Sequence, residues 1–299
     1  MKPILTFDSF YPQAKKMRAH FDEQFAEQKN PKNNRFVWDY WHVPDQYTLM
    51  RTPAYHYFPK KMYEEFHSSL VQWGRENLGC HDISPTWLSY YVDGCKQELH
   101  SDVPHGPWAF VFSLTPWAQR KFIGGETLVL RPEVLNYWQN FLENRDHELS
   151  SFVERVPSKF NRLTVFDPRL PHGVTEVRGV RDPREARLVI HGWFVEPRPY
   201  VVGGLSTNDV QKAMQPALMN LQRAILATGD FHGTLSFRLQ VSTNGHVKKF
   251  EWLTNTLVSV EGQPQALKKI LTEIKSIFVN AEFTKKKSES KITIPLLFK

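Results

Sequence analysis

Lys96-Gln97-Glu98-Leu99-His100-Ser101-Asp102 ends on two metal-ligating side chains one residue apart. In an extended strand, residues i and i+2 point to the same face, so His100 and Asp102 can grip one ion from one side. Further on, Leu163-Thr164-Val165-Phe166-Asp167 leads to Pro171-His172-Gly173-Val174. His172, brought from a distant strand, would complete a set of two histidines and one carboxylate. That set leaves coordination positions open on one side and suits non-haem Fe(II) oxygen chemistry. A zinc or structural site is the alternative for the same three residues.

The strand reading extends outward from this stretch. Short alternating or apolar runs fall at 87–92, 96–102, 108–114, 126–130, 163–166, 173–177 and 188–195, with Gly, Pro and Asp between them. That spacing predicts an antiparallel sandwich. Helical spacing of Ala14, Met17, Phe21 and Phe25 predicts a helix over 8–29. Met62, Phe66, Leu70 and Trp73 predict another over 59–78, ending at Gly79. A further helix is expected over 132–147.

Glu196-Pro197-Arg198-Pro199 marks the domain boundary, because two prolines in four residues do not fit a strand interior. The expected division is therefore 1–198 and 199–299. The second part reads as helix 207–227, strands 233–242 and 246–254, helix 264–278 and strand 291–298. Leu235, Phe237, Leu239 and Val241 alternate with Ser236, Arg238 and Gln240, predicting one buried and one wet face. Asn244-Gly245 predicts the hairpin turn between the first two of these strands. The fold class is α+β throughout.

Charge is uneven: residues 199–299 carry 13 Lys and Arg against 7 Asp and Glu, most of the net +7 of the chain. A solvated lysine-rich surface explains this without a nucleic-acid partner, and no zinc finger, RNA-binding signature or phosphate loop accompanies it. No apolar stretch reaches the length of a membrane span, so no membrane partner is expected. Only Cys80 and Cys95 occur, read as packed thiols, and a reducing cytoplasmic location is the expectation.

The ordered context of the three ligands resembles the prolyl-4-hydroxylase-like branch of the 2-oxoglutarate and Fe(II)-dependent dioxygenases. The likeness runs over about residues 85–196 and rests on Tyr91-Val92-Asp93-Gly94 before His100, then Gly124-Gly125-Glu126, His172, and the strand opened by Arg187. It implies a double-stranded β-helix (jelly-roll) core with flanking helices, and a small C-terminal α+β domain follows. It also implies Fe(II) on His100, Asp102 and His172, with 2-oxoglutarate and O2 as cosubstrates and ascorbate as an auxiliary reductant. Arg187 would hold the distal carboxylate of 2-oxoglutarate, Arg181 being the rival in a loop that also carries Arg178 and Arg184. An arginine fork suits a carboxylate because two parallel hydrogen bonds form at once. Tyr91 would lie near the cosubstrate or substrate, and Ser113 would stand where some relatives place an assisting tyrosine.

The implied reaction hydroxylates an unactivated C–H bond, releasing succinate and CO2. A prolyl residue in a peptide or protein is the implied substrate. A free amino acid or other small metabolite is the alternative, and an inactive binding protein on the same fold is the third. His105 and His191 are weaker candidates for substrate contacts. The segments around 233–249 and 292–298 loosely resemble the C-terminal domain of TonB-type proteins. For that part, recruitment of an acidic peptide or protein stands beside a structural role, covering a sheet edge or supporting a homodimer.

Overall fold

The computed structural model describes residues 4–26, 38–102, 105–131, 134 and 152–298. The chain divides into two compact units, Ile4–Leu70 with Ile83–Val195, and Val71–Asp82 with Glu196–Lys299. The expected helix over 132–147 lies outside the described residues.

The first unit holds β1 (Ile4–Phe7), α1 (Ala14–Ala26), β2 (Asp39–Val43), β3 (Tyr47–Pro53), α2 (Ala54–Tyr57) and the start of α3 (Lys60–Asn77). Past the short strand β4 (Cys80–Ile83) come β5 (Trp87–Tyr91), β6 (Lys96–His100), β7 (Trp108–Ser113), β8 (Thr127–Leu130) and β9 (Val153–Val156). The series ends with β10 (Leu163–Phe166), β11 (His172–Val174) and β12 (Arg187–Pro197). These pair in the order β1-β10-β7-β12-β5-β3-β6-β11-β8-β9, with β2 beside β3.

The sheet rolls over on itself. Arg187 on β12 reaches the Gly125 carbonyl and the Thr127 hydroxyl on β8, although four strands separate β12 from β8 along the hydrogen-bonded path. The result is a jelly roll with a cavity between its two walls. Period-two alternation sorts β12: Arg187, Val189, His191 and Trp193 line the cavity, while Leu188, Ile190 and Phe194 are fully buried in the alternate set. On β7, Phe112 meets Phe66 of α3 at 4.8 Å between ring centroids. Each such buried aromatic contributes about 2–3 kcal/mol.

Several boundaries differ from the sequence expectation. The opening helix starts only at Ala14, and β12 continues through Glu196 to Pro197. Pro197 is tolerated because it is the final strand residue, where an N–H is dispensable. The strands β1, β2, β3 and β9 carry too little alternation to be read from sequence. The unit boundary also departs from a simple cut at 198/199, since Val71–Asp82 belongs with the C-terminal unit.

That C-terminal unit contains β13 (Tyr200–Gly203), α4 (Thr207–Thr228), β14 (Phe231–Val241), β15 (Val247–Asn255), β16 (Val258–Ser259), α5 (Pro264–Val279) and β17 (Ser290–Phe298). The sheet order is β13-β17-β14-β15, with β16 beside β14. Ser206 opens α4 with a reciprocal capping box to Asp209. Leu235, Phe237, Leu239 and Val241 are buried against Ile270, Ile274 and Phe278 of α5, as the alternation predicts. The opposite face is not wet at its centre. Ser236 is fully buried and its hydroxyl donates to the Leu78 carbonyl, while Thr293 and Arg238 both donate to the Glu76 carbonyl. The end of α3 therefore covers a face that alternation alone marks as solvent-exposed.

The β14–β15 turn depends on Gly245, which has φ +87° and stands so that a Cβ would lie 2.0 Å from the Phe283 carbonyl oxygen. Gly245→Ala is expected to cost at least about 1–2 kcal/mol from the left-handed backbone alone, with the clash added to that. A lowered midpoint in urea unfolding checks it; an unchanged midpoint contradicts it.

Candidate metal centre and cavity

His100 closes β6 and His172 opens β11, and the two are direct cross-strand partners. Strand pairing thus sets the two imidazoles side by side, ring centroids 4.5 Å apart. Asp102 is not on the strand, as expected from its i+2 position, but two residues past its last member. There its N–H donates to the Pro168 carbonyl and its own carbonyl accepts from His105. The loop thus does what strand geometry was expected to do. Asp102 Oδ1 lies 3.6 Å from His100 Nε2, and Oδ2 lies 3.2 Å from His172 Nε2. One ligand atom from each residue falls within 4.8 Å of the others.

The histidine hydrogen bonds fix which nitrogen is available. His100 Nδ1 faces the Glu98 carbonyl at 2.8 Å and His172 Nδ1 faces the Leu170 carbonyl at 2.9 Å. A carbonyl only accepts, so each Nδ1 carries the proton and Nε2 keeps the lone pair a metal needs. Burial works to raise the Asp102 carboxyl, but the neighbouring imidazoles of His172, His100 and His105 outweigh it and hold the group below its usual range. An anionic carboxylate and two Nε2 donors fit a divalent cation with an open face.

The metal ligands border a cavity of about 580 Å³. Deep in it, Arg187 is 1% exposed. Its Nε donates to the Gly125 carbonyl at 2.8 Å, one terminal nitrogen donates to Thr127 Oγ1 at 3.1 Å, and its guanidinium carbon sits 4.6 Å from the Tyr91 ring centroid. The other terminal nitrogen, Nη1, is buried with no hydrogen-bond acceptor among the described residues. A buried unpaired N–H costs about 1–3 kcal/mol, and a ligand carboxylate would relieve it. Burial depresses the Arg187 pKa and Tyr91 opposes that shift. Gly125 has φ +78°, and a Cβ there would stand 3.2 Å from Arg187 Cδ, so a side chain would press on the clamp.

The rival cations are elsewhere. Arg181 is exposed and borders no part of the cavity, Arg178 pairs with Glu176, and Arg184 pairs with Asp182. Tyr91 does line the cavity, its hydroxyl donating to Gln97 Oε1 at 3.0 Å. Ser113 does not. Its hydroxyl donates to the Ser158 carbonyl at 2.7 Å and accepts from the Thr115 N–H, so it serves the core and is corrected as a cosubstrate contact. Thr127, which the sequence reading missed, supplies the hydroxyl at Arg187. The Gly-Gly-Glu-Thr run was the available signal, since Thr127 is two residues past Gly125. Cys80 and Cys95 are buried free thiols, and burial pushes Cys80 up to about 12.

The His105 ring packs at a tilt on Trp193, centroids 4.5 Å apart, and both line the cavity. His191, bonded to the Ser89 hydroxyl at 2.8 Å, is pushed down to about 4, first by burial and then by the charge of Arg187. Its folded pKa is depressed, so the stability from keeping it neutral is complete above the unfolded value near 6.5 and is lost as pH falls to 4. His191→Gln is expected to remove up to about 3 kcal/mol of that acid-side loss. Urea unfolding between pH 7 and 4 measures this; an unaltered pH slope contradicts it.

No family model and no curated protein matches the chain. Among solved structures it is similar to a prolyl-4-hydroxylase of Pseudomonas putida, at 16% identity over 65% of this chain and 92% of that one, TM-score 0.44. It is also similar to HygX from Streptomyces hygroscopicus, with nickel and 2-oxoglutarate bound, at 12% identity over 64% and 81%, TM-score 0.42. A third is the 2-oxoglutarate complex of a viral collagen prolyl hydroxylase from Paramecium Bursaria Chlorella virus-1, at 12% identity over 64% and 95%, TM-score 0.37. At such TM-scores these likenesses decide nothing about the chemistry of this chain. No described helix is long and apolar enough to cross a membrane.

Proposed function

We propose that the chain is an Fe(II)- and 2-oxoglutarate-dependent dioxygenase. The observation that carries this is the buried, partly unpaired guanidinium of Arg187 in the same cavity as the His100, Asp102 and His172 ligand set. Fe(II) bound there would supply oxygen activation, with the balance 2-oxoglutarate + O2 + R–H giving succinate + CO2 + R–OH. The residues do the rest. Arg187 and Thr127 hold the distal carboxylate, Tyr91 supports the guanidinium from below, and the carbonyls of Glu98 and Leu170 keep both Nε2 atoms turned to the ion. Phe166, Val174 and Val189 give the cavity apolar walls that limit water around the reacting C–H.

A prolyl residue in a peptide or protein is the proposed substrate. A free amino acid or other small metabolite is the second reading, favoured by a cavity volume within the usual range for small-molecule sites. Succinate formation with Fe(II), 2-oxoglutarate and O2 tests the reaction class, and mass spectrometry of candidate peptides against free amino acids tests the substrate. Failure to form succinate under any substrate, together with no 2-oxoglutarate binding, would sink the oxygenase reading and favour a binding protein.

For the C-terminal unit the proposal is recruitment of an acidic partner. Part of its charge is already answered, by Lys286 with Asp209 and Lys248 with Glu289. Because Val71–Asp82 packs into this unit, truncation after Pro199 would uncover part of α3. Charge reversal at Lys285 and Lys287 is the better test. It is expected to leave substrate-independent 2-oxoglutarate turnover intact while hydroxylation of a macromolecular substrate falls and loses its salt dependence. Unchanged hydroxylation leaves only the structural role.

A further inference from the structure

Arg187 is not the only cation in the cavity. Arg51, on the wall strand β3, also lines it. β3 lies between β2 and β5, and register places Trp41 and Trp87 on the same face as Arg51 from opposite sides. The guanidinium carbon is 3.4 Å from the Trp41 ring centroid and 4.0 Å from that of Trp87. Both faces of the guanidinium are thus covered by indoles, which exclude water and fix its plane. What remains is the edge, where all five N–H donors lie. Nε is buried and meets no acceptor among the described residues.

No ion pair among the described residues answers this charge, which Asp39 favours only through space. Asp39 is the direct cross-strand partner of Arg51, yet it is exposed and makes no ion pair with it among the described residues. Asp102 is engaged by His172 and His100. His191 stays neutral, bonded to Ser89. An arginine held edge-on in an aromatic slot, with its donors unspent, is built to receive an anionic oxygen group.

We propose that Arg51, clamped between Trp41 and Trp87, is a second anion site in the cavity and that the substrate carries a carboxylate or phosphate which it recognises. The oxygenase reading is needed only to name this ligand the substrate: 2-oxoglutarate has one distal carboxylate, and Arg187 takes it. Arg51 is then a specificity-determining residue, selecting an acidic amino acid derivative, an acidic peptide segment or a phosphorylated compound over its neutral analogue.

Protein loaded with Ni(II) and saturated with 2-oxoglutarate is titrated calorimetrically with benzoate, phenyl phosphate and the neutral benzamide, whose shared ring suits the indole walls. At least one anion is expected to bind about tenfold or more tighter than benzamide, and the tighter anion assigns the group. Arg51→Met is expected to abolish the preference and Arg51→Lys to keep part of it, which separates charge from packing. Equal binding of all three probes, no binding of any, or a preference surviving Arg51→Met overturns the proposal. Should Arg51→Met not fold, the wild-type comparison and Arg51→Lys still decide. Repeating the titration in Arg187→Met freed of metal and 2-oxoglutarate keeps the two readings apart: absence of 2-oxoglutarate binding to the wild type defeats the oxygenase, while the benzoate–benzamide difference in that variant judges Arg51 alone.

Discussion

His172→Ala is expected to abolish 2-oxoglutarate-dependent succinate formation while leaving the fold largely intact. His172 is buried at the start of β11, and its Nε2 is one of two imidazole donors in the ligand set. Removing it leaves one histidine and one carboxylate, too few to hold the ion in a fixed geometry. The structural cost is moderate, because the ring packs on Phe166 at 4.8 Å and, with Nε2 kept for the metal, its Nδ1 donates to the Leu170 carbonyl. Succinate should fall to the buffer background, and bound Fe(II) should fall with it. A variant that keeps one equivalent of iron and near-normal turnover would show that His172 is no ligand. Near-ultraviolet circular dichroism separates loss of metal from loss of fold.

The second large effect is at Arg187. Its replacement by alanine strands the distal carboxylate of 2-oxoglutarate in a site where water cannot replace the guanidinium. Breaking one partner of a buried pair costs about 3–5 kcal/mol, so the 2-oxoglutarate requirement should rise roughly 100- to 4,000-fold. Arg181→Ala should stay close to the parent, since Arg181 is exposed and outside the cavity. Near-normal affinity in Arg187→Ala with a loss in Arg181→Ala would reverse the assignment. Steady-state titration of 2-oxoglutarate against succinate release gives both numbers.

The sequence brings His100, Asp102 and His172 together and sets Arg187 at the head of its strand because both follow from local order. His100 ends a strand, His172 begins one, and Arg187 opens a run whose alternate residues line one wall. Other features depend on contacts no local pattern encodes. Asp102 lies beyond β6, and its place is set by a hydrogen bond to Pro168. Ser113 faces the core because Ser158 and Thr115 engage its hydroxyl, which alternation along β7 cannot reveal. Alternation marks Ser236 as solvent-facing, but the end of α3 covers it. The Arg51 slot needs three strands in register, two of which, β2 and β3, show weak alternation in sequence. The two C-terminal helices and strands β14, β15 and β17, by contrast, fall within a few residues of expectation because their apolar spacing is strong and Ser206, Gly229 and Gly245 punctuate it, whereas the short β13 and β16 carry no such pattern.

We expect one cavity to hold a metal on His100, Asp102 and His172 and a dicarboxylate on Arg187. Anaerobic calorimetric titration of 2-oxoglutarate into the protein, with and without Fe(II), tests it most directly. The predicted result is one equivalent bound to the Fe(II)-loaded protein, with much weaker binding once metal is removed and after Arg187→Ala. Binding that is indifferent to both the metal and Arg187, or no binding to the Fe(II)-loaded protein, would contradict it.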